Sequence, residues 1–234
     1  MFINSVRVES IREDSYIRQL PVVRHLEEFD ALRFTTPVTC FVGDNGSGKS
    51  TLIEAIAIAA GFDAAGGPLR DLDFRGVIHP THSTLSKWIH LRGKDIPARG
   101  YFLRAETHYD TVTIFDSREE EERSRHAMSH GESVLSVLED QVDGPGLYIF
   151  DEPESGLSVV RQMALVAEIH QAVKRGGQFI IATHSPIMMA IPDAAIIDIT
   201  EDGLEETVYE EAEAVVATRE FLEDPHGTIR YILG

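Results

Sequence analysis

The sequence predicts an α/β domain in which a mostly parallel sheet is flanked by helices. Three observations carry that prediction. Four short apolar runs, 38–42, 147–150, 179–182 and 196–199, do not alternate with polar residues, as suits strands buried on both faces of a parallel sheet. Helical patterns lie between or after these runs, the alternation expected of a wound α/β fold. A glycine-rich loop joins the first run to the first of these helices.

The elements follow in order. After run 38–42 and its loop, Lys49–Ala60 sets Leu52, Ile53, Ile56 and Ala60 along one side and meets Gly61 as a stop. Residues 61–100, with several Gly and Pro, read as loops and short helices beside the core. His79, His82 and His90 fall in that stretch, but their spacing matches no metal-ligand frame and no cysteine accompanies them; they are read as surface or locally bonded. Residues 116–125, with Glu119 to Glu122 in succession, read as a solvated helix or loop. Beyond 147–150, Val159, Met163, Val166, His170 and Val173 recur at helical spacing until Gly176 and Gly177 end the run. The acidic segment 201–213 offers no chemistry beyond its charge. With no internal repeat and no linker, 1–234 reads as one domain.

Composition excludes several classes. Of 234 residues, 43% are hydrophobic and 26% charged, enough for a sizeable core and against long disorder. Thirty-nine acidic residues against 21 basic give a formal charge of −18. That field repels nucleic-acid phosphate and anionic membranes at long range, so direct nucleic-acid binding is not expected. Cys40 is the single cysteine, which excludes an intrachain disulfide and suits a reducing compartment. The N-terminus lacks a signal-peptide core, and no apolar stretch approaches the ~20 residues needed to span a bilayer. A cytoplasmic protein without direct membrane insertion is the expectation.

Chemistry concentrates at the carboxyl ends of the apolar runs. Gly43, Asp44, Asn45, Gly46, Ser47, Gly48, Lys49 and Ser50 satisfy G-x-x-x-x-G-K-[ST], with Thr51 following. The glycines let successive backbone N–H groups curl inward toward phosphate oxygens, and the helix that starts at the loop adds its positive end. Lys49 then reaches the β- and γ-phosphates, and the Ser50 hydroxyl serves as a Mg²⁺ ligand. Run 147–150 ends in Asp151 and Glu152, a Walker B pattern with Asp151 as the metal carboxylate and Glu152 as general base toward the attacking water. Run 179–182 delivers Thr183 and His184 to the same edge, where open α/β sheets bind ligands. Ser129, His130, Gly131 and Glu132 precede a helical pattern; Ser129 and Glu132 fit a capping box, and the same geometry presents a hydroxyl and a helix N-terminus to an anion.

In this order the motifs resemble those of ATP-binding cassette (ABC) type ATPases. Ser129-His130-Gly131-Glu132 is similar to the family's signature, with His130 where a glycine is usual. Ser155-Gly156-Leu157-Ser158 falls where the D-loop belongs, ending in Ser158 rather than Asp, and His184 matches the switch histidine. Glu106 stands in the region of the Q-loop glutamine, and Tyr16 is the candidate for stacking on adenine. The resemblance implies an N-terminal antiparallel β portion and an inserted helical lobe, 61–142, carrying the signature. It further implies ATP and Mg²⁺ as ligands and a homodimer that closes around two ATP molecules, with Ser129 and Gly131 facing the γ-phosphate held by the other subunit's Lys49. Hydrolysis would switch an unidentified protein partner. With 106–128 too short for a coiled-coil arm at ~1.5 Å per helical residue, and with its Asp-Glu-Pro-Glu and Ala-Thr-His-Ser-Pro wording, the chain is closest in style to stand-alone ATPases of the chromosome-maintenance, repair and phage-defence group. A transporter's ATP-binding subunit and a non-hydrolysing ATP sensor are the alternatives.

Overall fold

Apolar residues on consecutive strand positions need cover on both sides, and the computed structural model supplies it. It describes residues 1–9, 11, 15–28, 31–69, 83–94, 97–105, 141–142 and 144–234. In chain order these form β1 (Ile3–Val8), α1 (Pro21–Glu28), β2 (Leu32–Arg33), β3 (Val38–Val42), α2 (Lys49–Ala60), β4 (Gly67–Pro68), β5 (Ile89–Gly93) and β6 (Gly100–Arg104). Then follow β7 (Leu147–Asp151), α3 (Val159–Lys174), β8 (Gln178–Ala182), α4 (Pro186–Met189), β9 (Ala195–Thr200), β10 (Gly203–Thr207), α5 (Glu213–Glu223) and α6 (Pro225–Leu233).

Among the described residues, seven strands form the main sheet in the order β10-β9-β3-β8-β7-β6-β4. The five from β9 to β6 are mutually parallel, and β10 and β4 close the edges antiparallel. A second sheet, β2-β1-β5, is antiparallel, the N-terminal portion that the family resemblance implies. Every residue of β3, β6, β7 and β8 is buried. Leu147 and Ile149 of β7 enter the core shared with α1, α2 and the antiparallel sheet. Tyr148 and Phe150 enter the opposite core with Leu165 and Ile169 of α3 and Met188 of α4. Tyr148 stacks on Phe179 with ring centroids 4.8 Å apart.

One buried glutamine ties the two sheets together. Gln178 Oε1 accepts from the backbone N–H groups of Phe2 and Ile3 at 2.6 and 2.9 Å, and its Nε2 donates to Ile3 O at 2.7 Å. Removing it leaves three backbone groups without this partner, those of Ile3 buried and that of Phe2 partly so. Gln178→Ala is expected to lower unfolding free energy by roughly 2–6 kcal/mol, at about 1–3 kcal/mol for each of the two buried Ile3 groups left unpaired; urea denaturation measures it.

Three expectations are corrected. Residues 89–93 are not loop or short helix but β5, paired antiparallel with β1. Ile89 and Leu91 turn inward while His90 and Arg92 are exposed, an alternation that five residues were enough to hide. β6, an unexpected fifth parallel strand, lies against β7. Within 61–142, then, residues 67–68, 89–93 and 100–104 are strands of the two sheets. The helix after β7 forms as expected, but only part of its apolar stripe packs: Val166 and Val173 lie against a core whose buried helix residues are Leu165, Ile169 and Ala172, whereas Val159 and Met163 are exposed. Its inner face is set by the strands it covers.

Candidate functional site

Sheet register gathers the candidate residues before any side chain is considered. Phe41, Ala182, Asp151 and Arg104 lie in one row across β3, β8, β7 and β6. The residues that leave this row at the carboxyl edge are the P-loop after β3, Glu152 after β7, and Thr183 and His184 after β8. Strand β8 lies between β3 and β7, so the histidine turn falls between the phosphate loop and the paired carboxylates.

The loop itself is tightly determined. Gly43, Gly46 and Gly48 have φ of +124°, +85° and +100°. At Gly48 a Cβ would also sit 2.7 Å from Val22 Cγ1 of α1, and at Gly43 2.5 Å from Ile199 O of β9. Both positions need glycine for conformation and for space. Lys49, only 4% exposed, donates from Nζ to Gly43 O at 2.8 Å and Asp44 O at 2.7 Å. Burial pushes the Lys49 ammonium below its ordinary pKa, opposed by the charges of Glu152, Asp44, Asp151 and Asp198. Asp198, at the end of β9, is pushed the other way, first by burial and then by Asp44 and Glu205. The first N–H groups of α2 lack helical acceptors and open toward the loop.

Leu20, Asn45, Gly46, Gly48, Lys49, Ser50, Thr51, Glu152 and His184 line one cavity of roughly 300 Å³. Glu152 holds the left-handed φ of +51°, rare for a residue with a side chain and costing on the order of 1–3 kcal/mol. Its N–H donates to Ala182 O at 2.9 Å, which pins it against the strand that delivers His184. His184 Nε2 approaches Glu152 Oε1 to 3.9 Å, too far for a hydrogen bond. Asp151 is buried at the end of β7.

Metal chemistry can be tested on the donors. Among the described residues no group of three or more His, Cys, Asp or Glu could hold an ion alone. What the rim offers is a hydroxyl, Ser50, and a carboxylate, Asp151, both hard oxygens. A few protein oxygens completed by phosphate and water are what Mg²⁺ takes at nucleotide sites, so the set fits that ion.

Not all candidates are brought together. Ser129, Gly131, His130 and Glu106 lie outside the described residues, as do His79, His82 and 116–125. Tyr16 is 63% exposed. His90 is locally bonded, its Nε2 3.0 Å from Glu9 Oε1. Ser158 is the N-cap residue of α3. Two residues escaped the sequence: Leu20, which lines the cavity, and Glu154, which bonds the histidine turn. Leu20 gives no sequence signal; Glu154 gives one only as the second glutamate of Asp-Glu-Pro-Glu.

Known proteins resemble the chain in two ways. A family profile described as "AAA domain" matches residues 17–126, and one described as "AAA domain, putative AbiEii toxin, Type IV TA system" matches 94–190. No curated protein sequence matches. Among solved structures, cbiO1 from Clostridium perfringens, part of the ABC transporter complex cbiONQ, is 17% identical with a TM-score of 0.52, covering 99% of each chain. The SMC head domain from Thermotoga maritima is 15% identical with a TM-score of 0.47, covering 88% of this chain and 98% of that one. At such identity the likeness to cbiO1 shows the fold. No helix among the described residues is long and apolar enough to cross a membrane. The two AAA-domain matches take in the P-loop, the paired carboxylates and the histidine turn between them, and the chain has the P-loop fold of ABC-type ATPases.

Proposed function

We propose that this chain is a Mg²⁺-dependent ATPase that dimerises around ATP and uses hydrolysis to switch a protein partner. The observation that carries the reading is the shared rim: Lys49, Ser50, Glu152 and His184 line one cavity where three parallel strands end. The strained backbone of Glu152 supports it independently, because such conformations collect at working sites.

The roles follow from position. Loop N–H groups from Gly43 to Thr51 and the start of α2 bind the phosphates, and Lys49 neutralises the β- and γ-oxygens. Ser50 and Asp151 would hold Mg²⁺, which when bound offsets phosphate charge and polarises the scissile phosphoanhydride. The ion matters more here than at a basic site. Asp44, Asp151, Glu152 and Asp198 all act on the one loop lysine, so a polyanion meets a rim rich in carboxylates. Glu152 takes the proton of the attacking water as general base, and His184 hydrogen-bonds the water or γ-phosphate beside it. Ser129 and Gly131 act across the dimer on the partner's nucleotide.

We read 1–234 as one domain with 61–142 as the lobe bearing the signature, and the compartment as cytoplasm. DNA repair and phage defence are the settings we propose, and the match over 94–190, whose description includes an AbiEii toxin, supports the second. Co-purification with a polytopic membrane protein would instead favour a transporter subunit. Phosphate release from ATP tests the core of the reading. Turnover is expected with Mg²⁺ and lost with chelator. Tight ATP binding without turnover at any protein concentration would replace it with a non-hydrolysing sensor.

A further inference from the structure

The residues just beyond Glu152 hold the histidine turn in a way the roles above leave unused. Glu154 Oε1 accepts two hydrogen bonds, one from Thr183 Oγ1 and one from the His184 backbone N–H, each at 2.7 Å. The next residue is held as well: Ser185 N–H donates to Thr183 Oγ1 at 3.0 Å, and Ser185 Oγ donates to Gln162 Oε1 at 2.6 Å. Gln162 Nε2 in turn donates to Leu157 O at 3.1 Å. Three consecutive residues of the turn are thus fastened to the segment 154–162. Glu152 lies two residues before that segment, and its own N–H donates to Ala182 O, the residue before the turn.

We infer that Glu154 is a positioning residue for hydrolysis: one carboxylate oxygen, bonded to both Thr183 and His184, sets the backbone from which the His184 ring faces Glu152. The inference rests on the proposed ATPase reading. No direct contact between Glu154 and the reacting atoms is invoked. Side-chain reach, not charge, is what the geometry demands, because both donors meet the same oxygen. Glutamine offers a carbonyl oxygen at that place; aspartate keeps the charge but is one methylene too short.

The test compares Glu154→Gln, Glu154→Asp and Glu154→Ala with the unaltered chain. Phosphate release at varied Mg-ATP gives kcat and KM, and hydrogen–deuterium exchange of the peptide spanning 179–190 reads the turn directly. Glu154→Ala is expected to lose about 10- to 100-fold in kcat with KM changed less than about twofold, the pattern of a lost transition-state arrangement rather than lost binding. Glu154→Gln should stay within about fivefold of the unaltered kcat, since a neutral acceptor replaces a charged one. Glu154→Asp should fall with Ala. Amides 183–185 should exchange faster in the Ala and Asp variants and stay protected in Gln.

An Asp variant as active as Gln, or more so, overturns the inference in favour of charge. Full kcat in Glu154→Ala overturns it outright. If Ala fails to fold, the Gln–Asp comparison still decides. If the unaltered chain releases no phosphate, the ATPase reading falls by itself. Exchange then judges the latch: equal protection in all folded variants overturns it, and loss confined to those that cannot reach upholds it.

Discussion

Lys49→Met is expected to abolish tight Mg-ATP binding while leaving the fold at least as stable as before. Losing a buried charge that meets phosphate costs on the order of 2–5 kcal/mol, about 30- to several-thousand-fold in affinity. Stability goes the other way for a stated reason. Lys49 is only 4% exposed, and burial lowers its pKa despite four neighbouring carboxylates. A lysine with a depressed folded pKa binds fewer protons folded than unfolded between the two values, so stability rises with pH through that window. Below the folded value the cost of burying the charged form is present in full. Methionine removes that cost and keeps most of the stem's packing; the carbonyls of Gly43 and Asp44 lose a donor, but Asp44 is exposed and water replaces it. Calorimetric titration with Mg-ATP and thermal unfolding without nucleotide check the two halves. A variant that binds normally, or that unfolds many degrees lower, contradicts the argument.

Glu152→Gln is the second large effect, and it separates chemistry from binding. The amide has nearly the shape of the carboxylate but takes no proton from water. General-base catalysis is worth about 10²–10⁴-fold, so kcat should fall by that order while Mg-ATP affinity changes little. The fold should tolerate it: the side chain is 41% exposed, and its nearest bonding partner, Ser155 Oγ, is 3.5 Å from Oε2. Unhydrolysed ATP should then persist in a dimer, seen by size in the presence of Mg-ATP and not without it. Turnover equal to the unaltered protein would remove Glu152 from its role.

The phosphate loop was legible in the sequence because its function demands residue types at fixed spacing. Gly43 and Gly48 are required by both positive φ and close approach, and such constraints leave a pattern in eight residues. Strands β3, β7 and β8 were legible for a different reason, because burial on both faces leaves almost no polar residue in the run; β9 showed through Ile196, Ile197 and Ile199 although Asp198 interrupts it. β5 and β6 were not legible. β5 is half exposed and only five residues long, and β6 begins at a glycine in a Gly- and Pro-rich neighbourhood. The order of strands was also hidden, since no local feature says that β8 inserts between β3 and β7. The apolar spacing of α3 was only partly a guide to its packing, because Val159 and Met163 are apolar without being buried while Val166 and Val173 pack on the core. Contacts such as Glu154 to His184 join residues 30 apart in the chain, and single residues carry no trace of that pairing.

The central claim is convergence: one phosphate must touch the loop, and the same phosphate must sit beside the histidine turn. Photocleavage by vanadate tests this most directly. With Mg-ADP, vanadate takes the place of the γ-phosphate, and ultraviolet light cuts the backbone that it contacts. The account predicts nucleotide-dependent cuts within residues 43–50 and at 183–185, both absent from Lys49→Met. Cuts that spare both segments, or that persist unchanged in that variant, would contradict it.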